Sequence, residues 1–188
     1  AVIRARERIT TDESIDIAPD LMGHVIIVGY GRTGQLLARL LDRQQIAHVA
    51  LDLNAARVAG LQADAAPVFL GDASRTAMLA KMRLNHAAAL AICTDDPGAT
   101  EQVLKAACDL APDIPVVARA RDSAHAASLL TLGAAQVVPE VLESGLQLGH
   151  VMLEQVGLPA NVARDLVDAQ RIEAAHGLRP AVGADSTQ

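Results

Sequence analysis

Residues 24–35 read HVIIVGYGRTGQ, a histidine and four apolar residues running into three glycines and an arginine. A short apolar run that ends in glycine reads as a buried strand. Gly29, Gly31 and Gly34 then give G-x-G-x-x-G between that strand and a following helix. In this pattern the first glycine allows a tight turn. The second lets a pyrophosphate approach the backbone. The third lets helix and strand pack closely, and the helix start offers free N–H groups to phosphate. Tyr30, Arg32 and Thr33 fill the variable positions. The Arg32 guanidinium can pair with phosphate oxygens or stand in solvent.

Outward from this turn, strands and helices alternate. The pattern predicts a helix over 32–45 with Leu36, Leu37, Leu40 and Leu41 on one face. A second strand covers 48–53 and a helix capped by Asn54 covers 54–65. A third strand covers 67–72, with a helix capped by Ser74 over 74–84. The fourth strand is 88–94, and Pro97 opens the next helix, 97–112. The fifth strand is 114–120, followed by a helix over 123–134 ended by Gly133. A sixth strand (135–140) and a helix (141–157) complete the series. Strict alternation with short connections implies right-handed crossovers. The fold expected is α/β, a Rossmann-like, doubly wound, mostly parallel six-stranded sheet with a C-terminal helical extension. NVARDLVDAQRIEAA (161–175) reads as one more helix, and HGLRPAVGADSTQ (176–188) as a loose tail. The domain organisation expected is a linker over 1–22, a nucleotide-binding domain over 23–157, and an extension with tail over 158–188.

Composition supports this and excludes other classes. Half of the 188 residues are hydrophobic, nearly all aliphatic, with one Phe, one Tyr and no Trp. Such cores suit helices packed on a parallel sheet. The net charge of −6 and the lack of a basic run argue against nucleic acid. Cys93 and Cys108 lie in apolar runs and read as inert thiols of a cytosolic protein. Neither a membrane span of ~18 apolar residues nor a signal peptide is legible. The six histidines show no metal-ligand spacing, so no metal is expected.

Several segments sharpen the nucleotide reading. Asp52 ends the second strand 18 residues after Gly34, where a carboxylate bonds ribose hydroxyls. It would repel a 2′-phosphate, which favours NAD or an adenosine phosphate over NADP; nearby Arg57 softens that preference. Leu53 and Asn54 follow it. Gly71, Asp72, Ala73 and Ser74 follow the third strand. Asp72 can accept from the adenine amino group, with Ala73 leaving room for the ring, or Asp72 and Ser74 can merely cap the next helix. Thr94 and Asp95 follow the fourth strand and can face the cofactor, while Asp96 caps the helix opened by Pro97. After the fifth strand come Arg119 and Arg121, on one side by alternation. They want either an anion or carboxylates such as Glu140 and Glu143. The candidate cofactor site is thus Gly29, Tyr30, Gly31, Arg32, Thr33, Gly34, Asp52, Leu53, Asn54, Arg57, Gly71, Asp72, Ala73, Thr94, Asp95 and Arg119.

A hydride-transfer enzyme also needs a substrate site and a proton donor. There is no Tyr-x-x-x-Lys pair and no G-x-S-x-G elbow, and only about 50 residues follow the sixth strand. No catalytic residue is expected. An oxidoreductase domain whose substrate part lies elsewhere remains the rival reading, and an interaction module with an empty site is a third.

GYGRTGQ, the acidic end of strand two, VFLGDAS, TDDP and ARARD, in this order and spacing, resemble the RCK or TrkA-N regulatory domains of potassium channels and transporters. They resemble in particular the C-terminal cytoplasmic domain of Kef-type potassium efflux antiporters, over about residues 23–157. The resemblance implies a nucleotide-sensing domain on the cytoplasmic face of the inner membrane, gating a cation/proton antiporter domain of the same polypeptide. It implies a homodimer formed around the fifth and sixth elements and the helix that follows. It also implies NAD(H) or AMP as ligand, with phosphate at Arg32 and the glycine turn, ribose at Asp52, and adenine beside Asp72 and Ala73. The polar N-terminal stretch becomes the linker from the last membrane helix, which accounts for a first residue that is not Met. One departure stands out. Glutathione-gated Kef systems place an arginine before an E-T-F-E-G-like stretch; here VVPEVLESG puts Pro139 in its place. The aromatic before strand three is absent too (QADAAP), while Arg39 matches a family arginine. Glutathione binding is therefore not carried over.

Overall fold

The computed structural model describes residues 17–63 and 66–178. Residues 1–16 of the linker expected over 1–22, and residues 179–188 of the tail expected over 176–188, lie outside the described residues. Six strands, β1 (Val25–Val28), β2 (His48–Asp52), β3 (Val68–Leu70), β4 (Ala89–Ile92), β5 (Val116–Ala120) and β6 (Gln136–Pro139), form one sheet. Its order is β3-β2-β1-β4-β5-β6, and every neighbouring pair is parallel. The chain runs outward from β1 to β3 on one side, then crosses back to β4 on the other. A crevice opens at the carboxyl ends where the direction reverses.

Both faces of the sheet are covered, which explains the unbroken apolar runs. Ile26 and Val28 point into one core, with Met78, Leu79 and Leu104. Ile27 points into the other, with Ala38, Ala50 and Val58. Helices α1 (Arg32–Arg43) and α2 (Ala55–Ala63) supply the second core. Helices α3 (Thr76–Lys81), α4 (Pro97–Leu110) and α5 (Ser123–Thr131) contribute to the first.

The apolar face expected for α1 is corrected. Leu37 and Leu41 pack inward around Gly34 and Ala38, whereas Leu36 and Leu40 are about half exposed. Four leucines in two adjacent pairs span too wide an arc for one face, and the small residues decide which side lies close to the sheet. The helix expected over 74–84 also shortens. It starts at Thr76 with no side-chain cap, and Leu84–His86 form a 3₁₀ turn.

Two helices end the described chain, α6 (Glu140–Gln155) and α7 (Ala160–Leu178). The second runs past the expected end at 175, so His176–Leu178 are helical rather than tail. Arg171 Nε donates to both Glu143 oxygens, at 3.0 and 3.1 Å, and ties α7 to α6. Among the described residues, no helix is long and apolar enough to cross a membrane.

Candidate nucleotide site

The turn between β1 and α1 is fixed by two glycines that nothing larger can replace. Gly29 has φ +87°, and a Cβ there would lie 2.9 Å from the Thr94 backbone nitrogen. A Cβ on Gly34 would overlap the Gly29 carbonyl oxygen. Gly31 differs. Its φ is −76°, and a Cβ there would meet nothing within 4 Å. No protein contact requires a glycine at 31. The space above it belongs to a cleft of about 1060 Å³ at the carboxyl ends of the strands. Gly31 is also the N-cap of α1 and supplies no side-chain acceptor, so the first turn of the helix, whose Arg32, Thr33 and Gln35 line the cleft, starts without a side-chain cap.

The β2 side of the cleft is built around Asp52, which is 5% exposed. Its Oδ2 accepts from the Tyr30 N–H at 2.7 Å and from Arg57 Nη1 at 2.7 Å. Its Oδ1 accepts from the Asn54 N–H at 2.8 Å. A carboxylate has about four acceptor positions, so roughly one stays open for a ligand hydroxyl. Asn54 also caps α2, accepting from the Arg57 N–H at 2.9 Å. At the end of β3, Asp72 Oδ1 accepts from the Ser74 N–H at 3.0 Å and from its hydroxyl at 2.7 Å. The two residues hold the loop in a tight turn ahead of α3 rather than capping the helix itself.

The other side is built from the ends of β4 and β5. Asp96 caps α4 by accepting from the Ala99 N–H at 2.6 Å, with Pro97 at the helix start. Thr94 and Asp95 line the cleft. Arg119 Nε donates to Glu140 Oε2 at 3.1 Å, and Nη2 donates to the same oxygen. Arg121 instead meets Asp122, and Glu143 goes to Arg171 rather than to either arginine. Cys93 is on the wall; burial pushes its thiol up to about 11, so it stays protonated at neutral pH.

Of the sixteen candidate residues, Gly29, Gly31, Arg32, Thr33, Asp52, Leu53, Asn54, Arg57, Gly71, Asp72, Ala73, Thr94, Asp95 and Arg119 line this cleft. Two do not. The Tyr30 side chain is buried in the core beside Ala38, and the residue contributes only backbone atoms; Gly34 is covered by the turn it supports. Residues that sequence reasoning did not place in the site include Gln35, whose amide donates to the Tyr30 carbonyl at 3.1 Å, Gln102 and Glu140. Gln35 is the next residue after the glycine motif and was within reach. Glu140 lies 21 residues from Arg119, and only the fold brings it to the cleft.

A family model described as the TrkA-N domain matches residues 25–140. A putative K(+) efflux antiporter KefB of Alkalimonas amylolytica is 39% identical over 152 residues, 81% of this chain and 23% of that protein. The chloroplastic K(+) efflux antiporter 2 of Arabidopsis thaliana is 42% identical over 142 residues, 76% of this chain and 12% of that protein. Among solved structures, the Kef CTD of Shewanella denitrificans in AMP-bound form is 31% identical with a TM-score of 0.73, covering 83% of this chain and 95% of that one. The chain thus spans less than a quarter of the length of these two antiporters.

Proposed function

The chain belongs to the TrkA-N domain family, and from that premise we propose that it is the nucleotide-sensing regulatory domain of a potassium/proton antiporter. The observation that carries this is Gly31. Packing accounts for Gly29 and Gly34 but not for Gly31, whose missing side chain leaves room only for something that enters the cleft. The uncapped start of α1 and Arg32 suit the phosphate. Asp52, fixed by three donors, suits the ribose, and the Gly71–Ala73 loop the adenine. The ligand proposed is AMP or NAD(H), with NADP disfavoured by the buried Asp52 carboxylate. That the related Shewanella domain is an AMP-bound form supports the choice.

The membrane partner is proposed to be an antiporter domain of the same polypeptide, placing this domain on the cytoplasmic face of the cell membrane. A homodimer is proposed through α6, where Val141, Leu148, Val151 and Met152 are exposed. The nucleotide acts by binding more tightly to one of two arrangements of that dimer. It is read as a ligand and not turned over.

Gly31→Ala tests the site directly. The backbone conformation is open to alanine and no contact opposes it, so stability should fall by no more than about 1 kcal/mol, the cost of alanine in place of glycine at an N-cap. Calorimetry should show AMP and NAD binding to the wild type and at least about tenfold weaker binding to the variant, the scale of 1.4 kcal/mol. Equal affinities, or no binding by the wild type, would overturn the reading.

A further inference from the structure

We infer that Arg119 sets the preference between a nucleoside monophosphate and nucleotides that carry a second phosphate, and that it does so in competition with Glu140. This rests on the nucleotide reading of the cleft and asks which class of nucleotide the cleft favours.

The sheet order fixes the path of a ligand. With phosphate at the β1 turn and the adenosine over β2 and β3, anything attached beyond the first phosphate passes toward β4 and β5. There the cleft is lined by Thr94 and Asp95 after β4, Arg119 of β5, and Glu140, the first residue of α6. Among the described residues, the hydrogen bonds of the Arg119 head span elements. Two of its nitrogens meet Glu140 Oε2, and Nη1 lies 3.5 Å from the Cys93 carbonyl oxygen. Its side chain is 23% exposed and that of Glu140 is 50% exposed.

A guanidinium presents a fork that matches phosphate as well as carboxylate. In the free chain the fork is occupied by Glu140. A monophosphate held at the turn by Arg32 and the free N–H groups makes no demand on it. A second phosphate brings negative charge to a wall that already carries Glu140 and Asp95. Arg119 is the arginine there that lines the cleft, while Arg121, in the adjoining pocket with Thr94, Asp95 and Glu140, is paired with Asp122. If Arg119 turns to the phosphate, Glu140 loses its partner, and the first turn of α6 loses its tie to β5. Nucleotide length is thereby reported to the helix whose outer face is apolar and exposed.

The test compares AMP with ADP by calorimetry on the whole chain. Glu140→Gln frees Arg119 and removes a repelling charge, so the ratio of ADP to AMP affinity should rise about fivefold, the upper end of what a solvent-exposed charge pair contributes. Arg119→Gln should lower the ratio by a similar factor. Should Arg119→Gln unfold, Arg119→Lys keeps the charge without the fork and should lower the ratio less. Glu143→Gln is the control: it removes the same charge one turn along α6, where the partner is Arg171 and the cleft is not lined. It should leave the ratio as in the wild type. Amide exchange at 141–144 should also quicken with ADP and not with AMP. A ratio unmoved in Glu140→Gln and Arg119→Gln, or moved the same way by both, overturns the inference while AMP binding keeps the nucleotide reading intact. A wild type that binds neither nucleotide overturns both.

Discussion

On the β2 side of the glycine turn, Asp52 is nearly sealed from solvent and accepts from two backbone N–H groups and one arginine. On the β5 side, Glu140 is half exposed and its partner among the described residues is the single side chain Arg119. Both are carboxylates on the wall of one cleft, yet they differ in what holds them. Backbone donors cannot move without moving the turn, so Asp52 is set before any ligand arrives. A side-chain pair at half exposure can exchange partners at small cost. One half of the cleft is therefore built to fix a ligand, and the other to respond to it.

The strongest way to break this contrast is to remove the floor both halves share. Gly34→Ala places a methyl group on the Gly29 carbonyl, a backbone atom that has no rotamer to escape to. The expected cost is about 3–5 kcal/mol, at the extreme of single substitutions. Urea unfolding should show it as a large drop in midpoint, with nucleotide binding lost to both halves together.

Next come the two carboxylates themselves. Asp52→Ala strands the Tyr30 and Asn54 N–H groups and leaves Arg57 without its partner, which should cost about 2–3 kcal/mol of stability and weaken AMP at least tenfold on the affinity scale. Glu140→Ala removes only a half-exposed ion pair and should change stability by less than about 1 kcal/mol. Matched denaturant curves for the two variants decide the matter. Similar losses would mean that both acids are structural and that the division of the cleft is false.

That division was only half legible in the sequence. The fixed half lies close along the chain: the glycine motif, Asp52 and Asn54 fall within 26 residues, and each role follows from local spacing. The six strands were legible for the same reason, because each apolar run is bounded by a turn. The responsive half depends on contacts between distant residues. Glu140 could equally have paired with Arg121, and Glu143 with either arginine, until β6 was laid beside β5 in register. A hydrophobic count of α1 favours its leucines over glycine and alanine, so it does not single out the inward side at Gly34 and Ala38. Close approach to the sheet rewards the smaller residues at 34 and 38. The extension of α7 to Leu178 goes with the packing of that side chain against the first core, which no local pattern announces.

Arg32 sharpens the comparison more gently. It is exposed and stands at the start of α1 between the two halves. Arg32→Gln should weaken AMP and ADP by the same factor, about three- to tenfold, as expected for one exposed charge-assisted contact. A selective effect on ADP would move the second phosphate away from Arg119 and toward the helix start.

The smallest effect separates structure from binding inside a single loop. Asp95 and Asp96 are adjacent, but Asp95 lines the cleft while Asp96 accepts from the Ala99 N–H and caps α4. Asp96→Ala should cost about 1 kcal/mol of stability, the usual worth of such a cap, because the donor it satisfies must then turn to water. Nucleotide affinity should stay within about twofold of the wild type, a change of less than half a kcal/mol. Asp95→Asn should do the reverse, leaving the denaturation midpoint in place and easing ADP binding slightly by removing a negative charge from the responsive wall. A stability loss from Asp95→Asn, or a binding loss from Asp96→Ala, would show that cap and wall are coupled through the first turn of α4, and the responsive half would then extend into that helix.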